Sequence, residues 1–403
     1  MAQLLQFRDT RGPVSPARIE TVRRKAATPA YSHPLAPDLV DVQAWNHVGD
    51  PITESLIGYL RQHKLMGGDV LATARRLRAA GVEEAEAFFT DVEWTPDWVD
   101  FEAMRPGAAM GARCAVGLAL GTHGALPLTY VDPATARVMN STGRMVRLGG
   151  DLRRRIWETA AGFVGALDVD GMRPGGAKWE QWVRIRLLHT SIRMGILRAG
   201  RWDTSTGMPI GQPPTAAGAH IFGRYRVNIN RYVGGRVNDE EAASFDLMWR
   251  WIARLQGANV ELLGRDDSEQ FRLACRIGEA LYAPNAESRA VTAAWIDGLA
   301  TMKSMFPMSR RAHSGVVRAL LAPELTEILP GRDTAAALGL APERRTDLLA
   351  AAVIKVGRGL SHLLDALPAT PDLDRAMTQR IVNRGLHHRA PTFRPSPVAG
   401  DRG

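Results

Sequence analysis

Apolar residues recur at intervals of three and four along most of the chain, and no stretch alternates strictly between apolar and polar positions. That is the period of helices buried on one face, not of half-buried strands. Ala, Leu, Arg and Glu fill much of the remainder, and these residues lose little side-chain freedom in a helix. Gly and Pro break the pattern at Met66-Gly67-Gly68, Arg105-Pro106-Gly107, Gly149-Gly150, Arg173-Pro174-Gly175-Gly176 and across 207–214. Asp151 and Asn238 stand as capping residues ahead of helices predicted over 152–167 and 239–256. No unit of 20–50 residues repeats, which excludes a solenoid. The pattern predicts an all-α protein and excludes a doubly wound nucleotide-binding sheet.

The ends of the chain differ from its middle. Residues 1–35 are rich in Arg, Pro and Thr and predict a flexible basic N-terminal arm, while 389–403, with Pro391, Pro395 and Pro397, predict a disordered tail. Residues 36–388 are expected to form a single helical domain. The longest apolar run, 114–128, is too short to span a bilayer and contains His123. No secretory signal pattern stands at the N-terminus. A cytoplasmic protein without a transmembrane segment is expected.

Two predicted helices concentrate the candidate chemistry. The first, DLRRRIWETAAGFVGAL, sets Arg155, Glu158 and Thr159 together at i, i+3 and i+4, beside an apolar stripe of Ile156, Phe163 and Leu167. A solvated face with one ion pair is the simpler account of that cluster. The second, KWEQWVRIRLLHTSIRMGILRAGRW, fills one face with Trp182, Ile185, Leu188, Ile192 and Ile196 and carries His189 beside it. A lone histidine in an apolar helix is most simply a hydrogen-bonded core residue. Arg186 and Arg193 lie on its own flank, however, and that combination also suits an iron porphyrin, with imidazole to the metal and guanidinium groups to the propionates.

Composition narrows the chemistry further. Cys114 and Cys275 are the only cysteines, so a disulfide framework, a zinc cluster and a thiolate-ligated iron–sulfur centre are excluded. Without C-x-x-C-H there is no covalent c-type haem. The dinucleotide, P-loop, zincin and nucleophile-elbow motifs are absent as well. The formal net charge of +9 comes from 51 basic residues, of which only Lys25, Lys64, Lys178, Lys303 and Lys355 are lysines. Arginines spread along the whole chain read as background usage, and no nucleic-acid partner is expected. His47, His123, His220 and the His387-His388 pair are read chiefly as core, loop or surface residues. Trp249 and Trp251, two apart on a helix, are expected to face different sides, one into the core and the other onto a contact surface.

The stretch Arg186-Leu187-Leu188-His189-Thr190-Ser191-Ile192-Arg193 resembles the R-L-x-H-A-x-V-R signature of the latex-clearing protein (rubber oxygenase) and mpaB-type oxygenase family. Pro96-Asp97-Trp98-Val99-Asp100 is similar to its P-x-W-V-D segment. Leu126-Pro127-Leu128-Thr129-Tyr130 and Ser141-Thr142-Gly143-Arg144 resemble its Y…TGR stretch, and Gly207-Met208-Pro209-Ile210 its G-x-P-I turn. Together the resemblance covers about residues 40–300. It implies a globin-like helical core around a non-covalent b-type haem, with His189 as proximal iron ligand, and an O2-dependent cleavage of isoprenoid carbon–carbon double bonds.

One position departs from the family. Rubber-type members carry R-x-x-K-T on the distal helix, whereas Arg155-Ile156-Trp157-Glu158-Thr159 places glutamate where that lysine would be. The expected site is therefore His189 on iron, Arg155, Glu158 and Thr159 on the distal side, and Arg186 and Arg193 on the propionates. The expected partners are O2 and a hydrophobic, unsaturated substrate. A peroxide-driven oxidation and a non-catalytic haem-binding protein are the alternatives.

Overall fold

The computed structural model describes residues 13–141, 150–302 and 307–365, together with 376, 379, 380 and 382–386. Its α-helices run in the order α1 Pro16–Ala26, α2 Val42–Trp45, α3 Pro51–Gln62, α4 Val70–Ala79, α5 Glu83–Glu93 and α6 Arg105–Arg113. Then follow α7 Ala115–Thr129, α8 Pro133–Ser141, α9 Gly150–Gly165, α10 Ala177–Arg198, α11 Gln212–Phe222 and α12 Arg224–Tyr232. The last are α13 Asp239–Leu255, α14 Asp267–Leu281, α15 Ala286–Thr301, α16 Arg310–Leu320, α17 Thr334–Ala337 and α18 Arg344–Asp365. No strand occurs among the described residues, so the all-α expectation holds. No described helix is long and apolar enough to cross a membrane.

α13 is the centre of the arrangement. It starts at a reciprocal cap, in which Glu241 N donates to Asn238 Oδ1 (2.8 Å) and Asn238 N donates to Glu241 Oε2 (3.1 Å). From Ser244 to Leu255 every residue is buried, the mark of a helix enclosed on all sides. α6, α10 and α11 pack around it. Trp249 and Trp251 are consequently both buried, which corrects the expectation that one would face a contact surface. Trp251 satisfies its indole N–H on the Met172 carbonyl at 3.1 Å. A second layer forms where α7 meets α12 and α16, with α18 packed on α16.

The N-terminal expectation is corrected in part. Residues 16–26 are helical: Ser15 caps α1, Val22 and Ala26 enter the core, Arg18 pairs with Asp41 at 2.8 Å, and Lys25 pairs with Glu261. The amphipathic spacing of Ile19, Val22 and Ala26 outweighs the basic composition. Residues 1–12 and the predicted tail 389–403 lie outside the described residues. Asp151, read as a cap, falls inside α9, which begins at Gly150.

Candidate functional site

A cavity of about 1130 Å3 with largely apolar walls lies among α7, α9, α10, α11 and α13. Its volume exceeds the roughly 300–1,000 Å3 of ordinary small-molecule sites. α10 presents Ile185, Leu188, His189 and Ile192 to it, positions spaced i, i+3, i+4 and i+7 and therefore on one face. α9 contributes Ile156, Glu158, Thr159 and Phe163. The structure thus brings His189, Glu158 and Thr159 to one cavity from two helices. The Arg155 side chain, along with Thr142, Gly143, Arg144 and His387-His388, lies outside the described residues.

Glu158 is 7% exposed and receives a hydrogen bond from Arg154 Nε at 3.0 Å. Arg154 was missed in the sequence, although i, i+4 is a helical pairing distance. The pair fixes a carboxylate in the wall of a largely apolar space.

Arg186 and Arg193 do not line the cavity, which corrects the expectation that they meet propionates. Arg186 Nε and Nη2 donate to Asp50 at 2.7 and 2.9 Å, and Nη1 donates to Asp91 at 2.8 Å. Asp91 also accepts from Arg254 at 2.8 Å. Burial alone would raise both carboxylic acids, but the charge and hydrogen bonds of Arg186, joined at Asp91 by Arg254, hold them below the usual carboxylate range. Arg193 donates to the carbonyls of Pro209 (3.0 Å) and Ile210 and to Glu54 (3.1 Å). It thereby ties down the 207–210 turn, where Gly207 adopts φ 118° and Ile210 reaches the cavity wall. Helical spacing set both arginines beside His189, but α3 and α5 supply the carboxylates that draw them away, and that is tertiary information.

Further polar groups line the cavity, among them Asp132, Gln256, His123, Tyr130 and Arg226. His123 lines it and sits with Nε2 3.3 Å from Nδ1 of His313. Burial, and for His123 also its partner, hold them low, at about 3 and about 4. Tyr130, 1% exposed, carries a buried hydroxyl with no hydrogen-bond partner among the described residues, and burial pushes its ionisation up. Arg226, 5% exposed, is held down to about 9 by burial alone. His220 is buried against Phe271 and does not line the cavity. Tyr130 carried a sequence signal as part of a motif, and His123 one as the histidine of the 114–128 apolar run; His313 and Arg226 depend on how α7, α12 and α16 meet.

No family model matches the chain. It is 25% identical over 173 residues to a "Rubber oxygenase" of Streptomyces sp. (strain K30), which covers 42% of this chain and 41% of that relative. The match thus spans about two fifths of the relative's length. Among solved structures, "Structure of Latex Clearing Protein LCP in the closed state" aligns with a TM-score of 0.58 at 18% identity, covering 90% of this chain and 94% of that one. The resemblance read from the motifs is upheld: the fold is that of a latex-clearing protein, and the sequence is similar to a rubber oxygenase.

Proposed function

We propose that this chain is a haem-dependent oxygenase acting with O2 on a hydrophobic, unsaturated substrate of isoprenoid type, with His189 as the protein ligand to iron. The observation that carries this reading is the convergence of His189, Glu158 and Thr159 on one apolar cavity from α9 and α10. The donor set fits the group: an imidazole in an apolar wall with carboxylate and hydroxyl in the same space suits a b-type haem, and the volume leaves room for a second hydrophobic molecule. Similarity to a rubber oxygenase adds support for the substrate class.

Haem would supply the redox-active iron at which O2 chemistry takes place. The chain's own residues do the rest. The apolar faces of α9 and α10 bind hydrocarbon and exclude water, which strengthens every polar interaction left inside. Glu158, oriented by Arg154, holds or moves a proton at its carboxylate oxygens, and the Thr159 hydroxyl donates beside it. Glutamate in place of the family's lysine gives this site an acceptor where rubber-type members have a cation.

The test is an absorption spectrum of protein expressed with haem supplementation, beside His189→Ala. A Soret band lost in the variant is expected, and colourless wild-type protein overturns the reading. Squalene incubated under O2, and separately with H2O2 in its absence, then assigns the oxidant: products with peroxide alone favour the peroxide-driven alternative, to which the buried Glu158 is also suited.

A further inference from the structure

Arg226 is a buried cation with no carboxylate partner among the described residues. Its Nε and Nη2 both donate to a single acceptor, the Leu118 carbonyl, at 3.3 and 2.9 Å. That carbonyl also receives the Thr122 hydroxyl at 3.1 Å. The guanidinium lies 4.8 Å from the Phe163 ring centre and 5.8 Å from that of Trp249. No described acid pairs with it, in contrast to Arg186, Arg193, Arg224, Arg250 and Arg254, each of which holds an aspartate or glutamate. α7 has Gly121 at the contact, where a Cβ would come 3.3 Å from the Arg226 side chain. The packing therefore admits the arginine rather than tolerating it at a periphery. A guanidinium offers five N–H donors, and Arg226 spends two of them on one carbonyl while lining the cavity.

Burying an unpaired charge is costly, and such charges are ordinarily paired or neutralised. We propose that Arg226 is a carboxylate-binding residue of the cavity, so that what occupies the cavity carries an acid group held by this guanidinium between Phe163 and Trp249. Two sources share that chemistry. One is a porphyrin propionate, which rests on the haem reading and would take the place vacated by Arg186 and Arg193. The other is the terminal carboxylate of an unsaturated acid substrate, which does not depend on haem.

The experiment measures dissociation constants of the purified full chain by calorimetry and tryptophan quenching for two acid–ester pairs: oleate against methyl oleate, and iron-free protoporphyrin IX against its dimethyl ester. Because the porphyrin lacks iron, the measurement does not require His189, and a failed iron-ligand assignment stays distinguishable from a failed Arg226 assignment. At least one acid is expected to bind about tenfold or more tightly than its ester, as a charge-assisted hydrogen bond implies. The preference should vanish in Arg226→Leu and survive in Arg226→Lys. A preference confined to porphyrin assigns the propionate, and one confined to oleate assigns the substrate. Equal binding of acid and ester in both pairs overturns the proposal, as does a preference that persists in Arg226→Leu. Should the leucine variant fail to fold, Arg226→Gln serves as the neutral variant: loss of the preference there supports the proposal and its persistence overturns it.

Discussion

Arg186 grips Asp50 through two parallel hydrogen bonds of 2.7 and 2.9 Å inside the protein, one turn of α10 before His189. With Asp91 and Arg254 the two form an interior cluster that fastens α10 to α13, to α5 and to the start of α3, where Asp50 caps the helix by accepting from Thr53 N. The residue that sequence spacing assigns to a cofactor instead positions the helix that carries the candidate ligand.

Replacing Arg186 with Met should therefore strand the buried Asp50 carboxylate, leave Asp91 with Arg254 alone, and destabilise the fold by about 3–5 kcal/mol, the usual cost of removing one partner of a buried pair. Urea unfolding measures it, as a lower midpoint with an unchanged slope. Asp50 and Asp91 are held below the usual carboxylate range in the fold. Their contribution is thus fully present above the unfolded value near 4 and is lost as pH falls through the folded values. In Arg186→Met this acid sensitivity should shrink. A variant as stable as wild type would show that the cluster contributes nothing.

The buried histidines extend acid lability to milder pH. His123 and His220 sit at about 3 and His313 at about 4, all held neutral chiefly by burial. Unfolding lets each bind a proton near its ordinary 6.5, so stability is lost as pH falls from about 6.5 toward 4, by up to about 1.4 kcal/mol per pH unit for each histidine. His220→Phe, against the Phe271 ring and outside the cavity, should flatten that slope by one proton without altering cavity binding. A slope indifferent to this substitution would mean that His220 titrates normally in the fold.

How much of this was legible in sequence follows from the range of each interaction. The helices were, because period and capping are local: Asn238 and Glu241 close their box as the spacing says. The shared face of Ile185, Leu188, His189 and Ile192 was legible for the same reason. α1 was misread because a basic composition concealed the short apolar face of Val22 and Ala26. The destinations of Arg186 and Arg193 were not legible, since Asp50, Asp91 and Glu54 lie 136, 95 and 139 residues away in the chain. Arg226 was invisible for a related reason: its significance is a missing carboxylate, and only packing reveals that.

Glu158→Gln keeps the shape of the side chain and removes its charge, leaving Arg154 with a weaker acceptor. Activity of the haem-loaded protein should fall by about 10²–10⁴, the range of general acid–base assistance, while His189 still holds iron and the Soret intensity stays unchanged. Arg154→Ala should have a smaller effect of the same sign, because it frees the carboxylate without removing it. Full activity in Glu158→Gln would take the proton role away from this residue and leave Thr159 as the polar group on α9.

Tyr130→Phe removes a hydroxyl that is buried at 1% exposure and has no hydrogen-bond partner among the described residues. An unsatisfied buried polar group costs about 1–3 kcal/mol, so the ligand-free variant should be as stable as wild type or more so, by chemical denaturation. The hydroxyl lines the same cavity as His189, and its retention there despite that cost is explained if an oxygen of the occupant accepts from it. The variant should then bind oxygen-bearing occupants about tenfold more weakly, the value of a hydrogen bond lost from a dry site, and bind pure hydrocarbons such as squalene as tightly as before. Weakening of both classes alike would make Tyr130 a packing residue, and a destabilised ligand-free variant would mean that its hydroxyl is paired within the protein.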